Sequence, residues 1–169
     1  GYTIVTVKRN GDDIGKIYLQ DSLKNGSKEM IQTLKSMNIK TMMLTGDNAS
    51  VAKQVANDLC IDEYQSELLP DDKFKIIEDM TKDCKLAFVG DGINDAPALT
   101  RADIGIAIGT GTDIAIDSAD VVLMNSRLTD VSSAIRLSRA TLKNIHENLF
   151  WAFFYNAIGI PLAAGLFIN

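Results

Sequence analysis

Short apolar segments with strand character alternate with helical segments along most of this chain, and two of the strands end in polar, glycine-containing loops. Residues 39–44 lead into TGDN at 45–48, and residues 86–89 lead into GDGINDAP at 90–97. This alternation predicts an α/β fold with a doubly wound, mostly parallel, Rossmann-like sheet. Ligands of such sheets bind beyond the carboxyl ends of the strands, where both loops are expected.

The hydrophobic periodicity predicts the other elements as well. A β-hairpin is expected at the N-terminus, with a turn over 10–13. The first helix is expected to be capped by Asp21, Ser22 or Asn25, and later helices follow the TGDN loop and begin at Pro70. The remaining predictions are short helices at 95–101 and 112–118, strands at 3–8, 14–19, 104–108 and 121–124, and a long helix from about Thr129.

The two loops carry the residue types that hold a phosphoryl group beside a divalent cation. Glycines let the backbone approach a phosphate, and the helix that follows offers unpaired N–H groups and a positive dipole end. Asp91 is the best candidate Mg²⁺ ligand, because it comes directly after a strand and offers hard oxygen donors. Asp95 is expected to hold the loop or the water shell of the metal.

Donors to the phosphate oxygens are expected from both loops and from one helix. Thr45 offers a hydroxyl, Gly46 a backbone N–H and Asn94 an amide. Lys73, in the sequence PDDK, offers a point charge, and Asp47 completes the set of catalytic candidates.

Simpler interpretations of these residues stay open. TGDN can be a polar turn that caps a helix, and Lys73 can be a solvated helix lysine. An EF-hand is excluded, since the twelfth position counted from Asp91 is Ala102 and not Glu. The stretch 109–112 (GTGT) matches a dinucleotide fingerprint only in part, because Ile114 stands at the third glycine position.

Composition limits the possible classes of protein. The length of 169 residues suits one ordinary domain, and the net charge of −5 with no basic, aromatic-rich patch argues against nucleic-acid binding. Cys60 and Cys84 are not at a metal-ligand spacing, so buried thiols in a reducing cytosol are expected. No signal peptide is visible at the N-terminus.

Residues 149–168 contain no charged side chain, and a helix needs about 20 residues to cross a bilayer core. Trp151 and Tyr155 near its start suit the membrane interface. The alternative is a buried core helix, but Gly159 and Pro161 are tolerated better in membrane helices. The basic residues that precede this segment are expected on the cytoplasmic side: Arg127, Arg136, Arg139, Lys143 and His146.

Together these motifs resemble the phosphorylation domain of P-type cation ATPases, within the haloacid dehalogenase superfamily. The similarity rests on TGDN at 45–48, PDDK at 70–73 and GDGINDAPAL at 90–99. GTGTD at 109–113 and ADVVL at 119–123 are similar to the heavy-metal branch in particular. The resemblance covers essentially the whole chain.

The resemblance implies four parts. Residues 1–20 would be the last strands of the nucleotide-binding domain, 21–127 part of the phosphorylation domain, 128–147 a connecting helix and 148–169 a transmembrane helix, with 1–147 cytoplasmic. The last part is similar to the seventh transmembrane helix of copper(I) pumps, in which a Tyr-Asn pair, here Tyr155 and Asn156, is associated with metal selectivity.

This sequence departs from the family pattern because it lacks two of the family's functional segments. The segment Asp-Lys-Thr-Gly-Thr, which carries the phosphorylated aspartate, does not occur in this sequence, nor does the Cys-Pro-Cys metal site. The resemblance therefore implies part of a pump that uses ATP and Mg²⁺ to move Cu⁺ across a lipid bilayer. The chain would act with the remaining domains of the same pump and would be inactive alone, as part of a larger pump or as a truncated product.

Other functions stay open at this point. They are a pump for zinc, cadmium or another transition metal, a soluble phosphatase of the same superfamily, and a phosphate-binding product without catalysis. Cu⁺ prefers sulfur ligands, which Tyr155 and Asn156 do not supply, and Asn156 can instead form an interhelical hydrogen bond. Met42 and Met43 are expected in the core and not at a metal site.

Overall fold

The computed structural model describes residues 3–19, 23–90, 93–109, 116–125 and 127–165. The chain divides into two compact units, residues 1–131 and residues 132–169. The first unit contains all the described strands, and the second consists of most of one long helix. The two loops predicted to bind phosphate both belong to the first unit.

An antiparallel hairpin opens the chain, with β1 at Thr3–Arg9 and β2 at Asp12–Leu19. The predicted turn of four residues is shorter in the structure, since only Asn10 and Gly11 connect the strands. Both have positive φ, 53° for Asn10 and 95° for Gly11. Two-residue turns of this handedness match the twist of the flanking strands, which is why the strands extend further into the loop than predicted.

The other described strands pair in parallel, as the sequence predicts. They form two separate sheets among the described residues, one of order β3-β4 and one of order β5-β6-β7. Strand β4 was not predicted, because its three side chains are all exposed and leave no alternating pattern. The bounds are Met42–Leu44 for β3, Glu63–Gln65 for β4, Ala87–Gly90 for β5, Ile104–Ile108 for β6 and Val121–Leu123 for β7.

The helices begin close to the predicted positions, with one exception. Helix α1 starts after Gly26, which has φ 84° and gives no side-chain cap, so Asn25 is not the cap. The other two predicted caps, Asp21 and Ser22, lie outside the described residues, as does most of the predicted helix at 112–118. The bounds are Ser27–Ser36 for α1, Ala49–Leu59 for α2, Pro70–Asp83 for α3, Ala96–Arg101 for α4 and Thr129–Ala163 for α5.

The core of the first unit lies around α4, which packs against α3, β5 and β6. Leu99 is completely buried there. A Cβ atom on Gly105 would lie 2.5 Å from the carbonyl oxygen of Leu99, so β6 and α4 can approach this closely only with glycine at that position. Met42 and Met43 are half-buried in β3.

The expectation of buried cysteines is wrong. Cys60 and Cys84 are both exposed free thiols. Each is the C-cap residue of its helix, Cys60 after α2 and Cys84 after α3. Helix ends lie at the surface, where their last carbonyl groups find partners, and this position outweighs the apolar character of the thiol.

Helix α5 has 35 residues and continues through Pro161 in its last turn. It ends at Ala163, and Gly165 beyond it has φ 84°. In the described part of the chain, no helix is both long enough and apolar enough to span a membrane. The end of the predicted membrane segment, residues 166–169, lies outside the described residues.

Candidate active site

The loop after β3 is held by its own side chains. The Thr45 hydroxyl donates to Asp47 Oδ2 at 2.8 Å and accepts from the Asp47 backbone N–H at 3.1 Å. Asn48 Oδ1 accepts from the backbone N–H of Val51 at 3.0 Å and so caps α2. The interpretation of TGDN as a helix-capping turn is therefore confirmed, and the loop still presents Thr45 and Asp47 at the carboxyl end of β3.

The chain segment before α3 lies against this loop. The Leu68 backbone N–H donates to the Thr45 carbonyl oxygen at 3.1 Å, and the Glu67 N–H donates to the Asp47 carbonyl oxygen at 2.8 Å. A Cβ atom on Gly46 would lie 3.3 Å from the Leu68 carbonyl oxygen, so glycine permits the close approach. These contacts fix the start of α3 relative to the TGDN loop, and no sequence motif predicted them.

Lys73 is positioned by the first turn of α3. Pro70 is the first helical residue, where its missing N–H costs no hydrogen bond. Asp72 Oδ2 accepts from the backbone N–H of Leu69 at 3.1 Å, which satisfies a donor that the helix itself leaves unpaired. The helix therefore starts at a defined residue, and Lys73 lies in its first turn.

An ion pair joins this turn to the loop after β5. Lys73 Nζ lies 2.9 Å from Asp95 Oδ1, and the two side chains are only 18% and 16% exposed. By contrast, the Lys82–Asp79 pair near the other end of α3 is 66% and 75% exposed. The interpretation of Lys73 as a solvated helix lysine is therefore wrong.

Gly90 and Asp95 are in close contact at the carboxyl end of β5. A Cβ atom on Gly90 would lie 2.8 Å from the Asp95 Cβ and 3.0 Å from Asp95 Oδ2. Asp95 belongs to the 3-10 turn Ile93–Asp95 that precedes α4, and Asn94 beside it is exposed. Gly90 is therefore the residue that lets Asp95 fold back towards the strand and reach Lys73.

The structure thus brings some of the predicted site residues together. Lys73, Asp95 and Gly90 form one cluster, and Thr45, Gly46 and Asp47 form a second cluster, which the segment before α3 connects to the first. Asp91, the predicted Mg²⁺ ligand, lies outside the described residues. Within the described ranges, no group of three or more His, Cys, Asp or Glu side chains is placed to hold a metal ion.

Among the described residues, the pKa of Asp62 is shifted most. Asp62 lies beside the start of β3, which is the opposite end of that strand from the TGDN loop. Asp62 accepts from the Lys35 ammonium at 2.9 Å and from the Thr41 hydroxyl at 2.7 Å and backbone N–H at 2.9 Å. These donors hold the pKa of Asp62 well below its ordinary value of 3.8. The cluster fixes the beginning of β3, and therefore the direction in which the strand presents the TGDN loop.

Tyr155 and Asn156 lie in the exposed, C-terminal half of α5. Tyr155 is 79% exposed, and Asn156 is exposed as well. Neighbouring residues on an α-helix point about 100° apart, so the two side chains do not share one direction. The helix alone therefore does not bring them together as ligands of a single ion.

This chain belongs to the haloacid dehalogenase-like hydrolase family, whose sequence profile matches residues 2–103. Within that class, it is similar to metal-transporting P-type ATPases. It is 48% identical over 166 residues to the copper-exporting P-type ATPase B of Archaeoglobus fulgidus, covering 98% of this chain and 24% of that protein. It is 46% identical over 172 residues to the probable copper-importing P-type ATPase A of Enterococcus hirae, covering 100% of this chain and 24% of that protein.

The chain is also similar to the solved structure of a metal-transporting P-type ATPase. The crystal structure of a zinc-transporting PIB-type ATPase superposes with a TM-score of 0.86 at 41% sequence identity, covering 98% of this chain and 27% of that one. A phosphatase of Haemophilus influenzae, at 18% identity and a TM-score of 0.59, shares the fold alone. The chain spans about a quarter of the length of the P-type ATPases it matches.

Proposed function

We propose that this chain supplies the phosphate- and magnesium-holding part of an ATP-driven copper(I) pump. The observation that carries the proposal is the poorly exposed Lys73–Asp95 pair, which joins the first turn of α3 to the loop after β5. It places a positive charge at the carboxyl ends of parallel strands, where ligands of such sheets bind. The identity of 48% with a copper-exporting P-type ATPase supports the assignment.

Each residue has a distinct role in this proposal. Lys73 offers its charge to a phosphoryl oxygen, and Asp95 positions the lysine. Thr45 and Gly46 offer a hydroxyl and a backbone N–H, and because the Thr45 proton now points to Asp47, a bound phosphate competes with Asp47 for it. Asn94 is exposed at the entrance of α4 and offers an amide donor.

Magnesium is the second component of the proposed site. When bound, Mg²⁺ offsets the negative charge of the phosphoryl group. Asp91 is the proposed ligand because it follows β5 directly. Asp95 gives one oxygen to Lys73, which suits a role in holding the loop and the water shell better than direct ligation.

The carboxylate that accepts the phosphoryl group must come from outside this sequence, which lacks the Asp-Lys-Thr-Gly-Thr segment. The described strands leave a position in the sheet for the strand that carries this carboxylate. Strands β3 and β5 lie at the edges of separate parallel sheets, and their apolar side chains are at best half-buried. Strands inside a doubly wound sheet are usually buried on both faces. We propose that the strand with the acceptor aspartate pairs between β3 and β5 in the complete pump.

The membrane part of the proposal concerns the end of α5. The uncharged run continues from Leu149 to Ile168, beyond the last described residue of the helix. The aromatic side chains of its described part, up to residue 165, are largely exposed, with Trp151 at 61% and Phe153 at 67%. A bilayer would remove this apolar surface from water. We place this segment in the membrane, with residues 1–147 on the cytoplasmic side.

Copper(I) is the proposed cargo, and zinc is the specific alternative, because the zinc-transporting structure is 41% identical. The sulfur ligands that copper(I) prefers would come from other helices of the pump. Asn156 is proposed to contribute to the transport site. In the complete pump, Asn156→Ala should leave phosphorylation by inorganic phosphate intact and weaken copper-dependent ATP turnover. If activation by copper were unchanged, Asn156 would not belong to the transport site. If zinc alone activated the pump, zinc would replace copper(I) as the proposed cargo.

The phosphate site is tested by Asp91→Asn in the complete pump, with Asp79→Asn as the matched control. Asp79 is exposed and pairs with Lys82 on the surface of α3. We expect phosphoenzyme formed from ATP to fall by about 100-fold or more for Asp91→Asn, because a charge next to the metal is lost. The control should stay within about twofold of wild type. Wild-type phosphoenzyme in the Asp91 variant would overturn the assignment.

A further inference from the structure

The N-terminal half of α5 carries a stripe of basic side chains along one face. Arg136, Arg139, Lys143 and His146 follow one another at intervals of three or four residues, which brings them to the same side of an α-helix. All four side chains are exposed. We refer to these four residues as the basic stripe.

Little negative charge opposes the basic stripe on its own helix. The helix contains two acidic residues, Asp130 in its first turn, which pairs with Arg127, and Glu147. Glu147 lies 3.7 Å from Lys143, and both side chains are more than half exposed, at 76% for Lys143 and 56% for Glu147. Such surface pairs contribute little to stability, because water and salt screen the two charges. The stripe is therefore a net positive surface that can accept an anionic partner.

A second, apolar face runs beside the stripe. Leu142, Ile145 and Leu149 are spaced by three and four residues and are 54%, 53% and 50% exposed. The apolar face leads directly into the uncharged segment with Trp151. A basic face that leads into an uncharged segment with an aromatic residue near its start is typical of the cytoplasmic flank of a membrane-spanning helix.

We propose that the basic stripe binds the headgroups of anionic phospholipids in the cytoplasmic leaflet. The proposal rests on the membrane placement of the C-terminal half of α5. Lipid headgroups are the proposed partner because the stripe ends close to the start of the uncharged segment. Its charges would therefore lie next to the membrane surface. Arginine and lysine side chains next to a membrane segment reach up to the headgroup layer.

The geometry also predicts a gradient along the stripe. With a rise of 1.5 Å per residue, Lys143 lies about 12 Å and Arg136 about 22 Å from Trp151 along the helix axis. Attraction to the leaflet falls off within a Debye length of about 10 Å. Lys143 should therefore contribute most to lipid binding and Arg136 least.

The test is flotation of the 169-residue chain with vesicles of phosphatidylcholine, or of phosphatidylcholine and phosphatidylglycerol in equal parts. The variant Arg136→Gln/Arg139→Gln/Lys143→Gln is compared with Lys28→Gln/Lys40→Gln/Lys53→Gln, which removes the same charge from exposed lysines of the first unit. Trp151 is the only tryptophan, so its fluorescence reports insertion independently.

Wild type should bind the anionic vesicles about 10- to 100-fold more tightly than the neutral ones, with the preference reduced by salt. The stripe variant should lose this preference and keep its binding to neutral vesicles, and the control variant should keep both. Lys143→Gln alone should weaken the preference more than Arg136→Gln alone.

Two results would overturn the lipid site: wild type without an anionic preference, or a stripe variant and a control variant that lose it equally. The membrane placement fails separately if Trp151 emission stays that of an exposed indole on every vesicle to which the chain binds. An anionic preference that depends on the stripe would still support the headgroup contact in that case.

Discussion

The two units of this chain differ in how far they bury their large apolar side chains. In the first unit, Leu99 is fully buried and Ile77 and Ile106 are 4% and 3% exposed. In the second unit, Phe150 is 60% and Tyr155 79% exposed, although the helix is continuous from Thr129 to Ala163. Helices and strands that pack on each other form a core in the first unit. The long helix has a hydrophobic surface that needs an environment from outside its own unit.

The largest expected difference between the two units comes from the same substitution, leucine to alanine, made once in each unit. Leu99→Ala should lower the free energy of unfolding by about 2–5 kcal/mol, because it leaves a cavity in the core of the first unit. Leu137→Ala on α5, where the side chain is 69% exposed, should change it by no more than about 0.5 kcal/mol. Urea unfolding followed by circular dichroism measures both. Similar losses for the two variants would contradict the contrast between the units.

A smaller effect is expected from acid, and it should be confined to the first unit. The pKa of Asp62 is lowered by Lys35 and Thr41, so its carboxylate stabilises the fold above the ordinary pKa of 3.8. That contribution is lost as the pH falls through the lowered folded value. The free energy of unfolding should therefore fall below pH 3.8, and Asp62→Asn should make this fall shallower.

The control for this experiment is Asp58→Asn, which changes an exposed carboxylate that takes part in none of the ion pairs between described residues. It should leave the acid dependence of wild type unchanged. An Asp62→Asn variant with the full wild-type acid dependence would show that the Thr41–Asp62–Lys35 cluster does not stabilise the start of β3.

Local patterns predicted much of the fold. The parallel strands, the start of α3 at Pro70 and the capping of α2 by the TGDN turn all follow from residues close in sequence, and the structure confirms them. Strand β4 was missed because three exposed residues carry no periodic signal. The cysteine prediction failed because the apolar character of the thiol was given more weight than its position at the end of a helix, where both thiols are exposed.

The candidate site was predictable as a set of residues but not as a set of contacts. The motifs pointed to Lys73 and Asp95, yet the two are 22 residues apart and nothing local shows that they pair. The bonds from Glu67 and Leu68 to the TGDN loop use backbone groups, which every sequence has. Such contacts depend on how the strands and helices are arranged in three dimensions, so periodicity does not reveal them.

The most direct test of the central claim compares two lysines of the same helix. Phosphoenzyme formed from ATP would be measured in the complete pump for Lys73→Gln and for Lys82→Gln. Both lysines pair with an aspartate, one at the candidate site with 18% exposure and one on the surface with 66%. We expect a loss of about 100-fold or more for Lys73→Gln, and a change within about twofold for Lys82→Gln. Equal phosphoenzyme levels in the two variants would contradict a phosphate site built around Lys73.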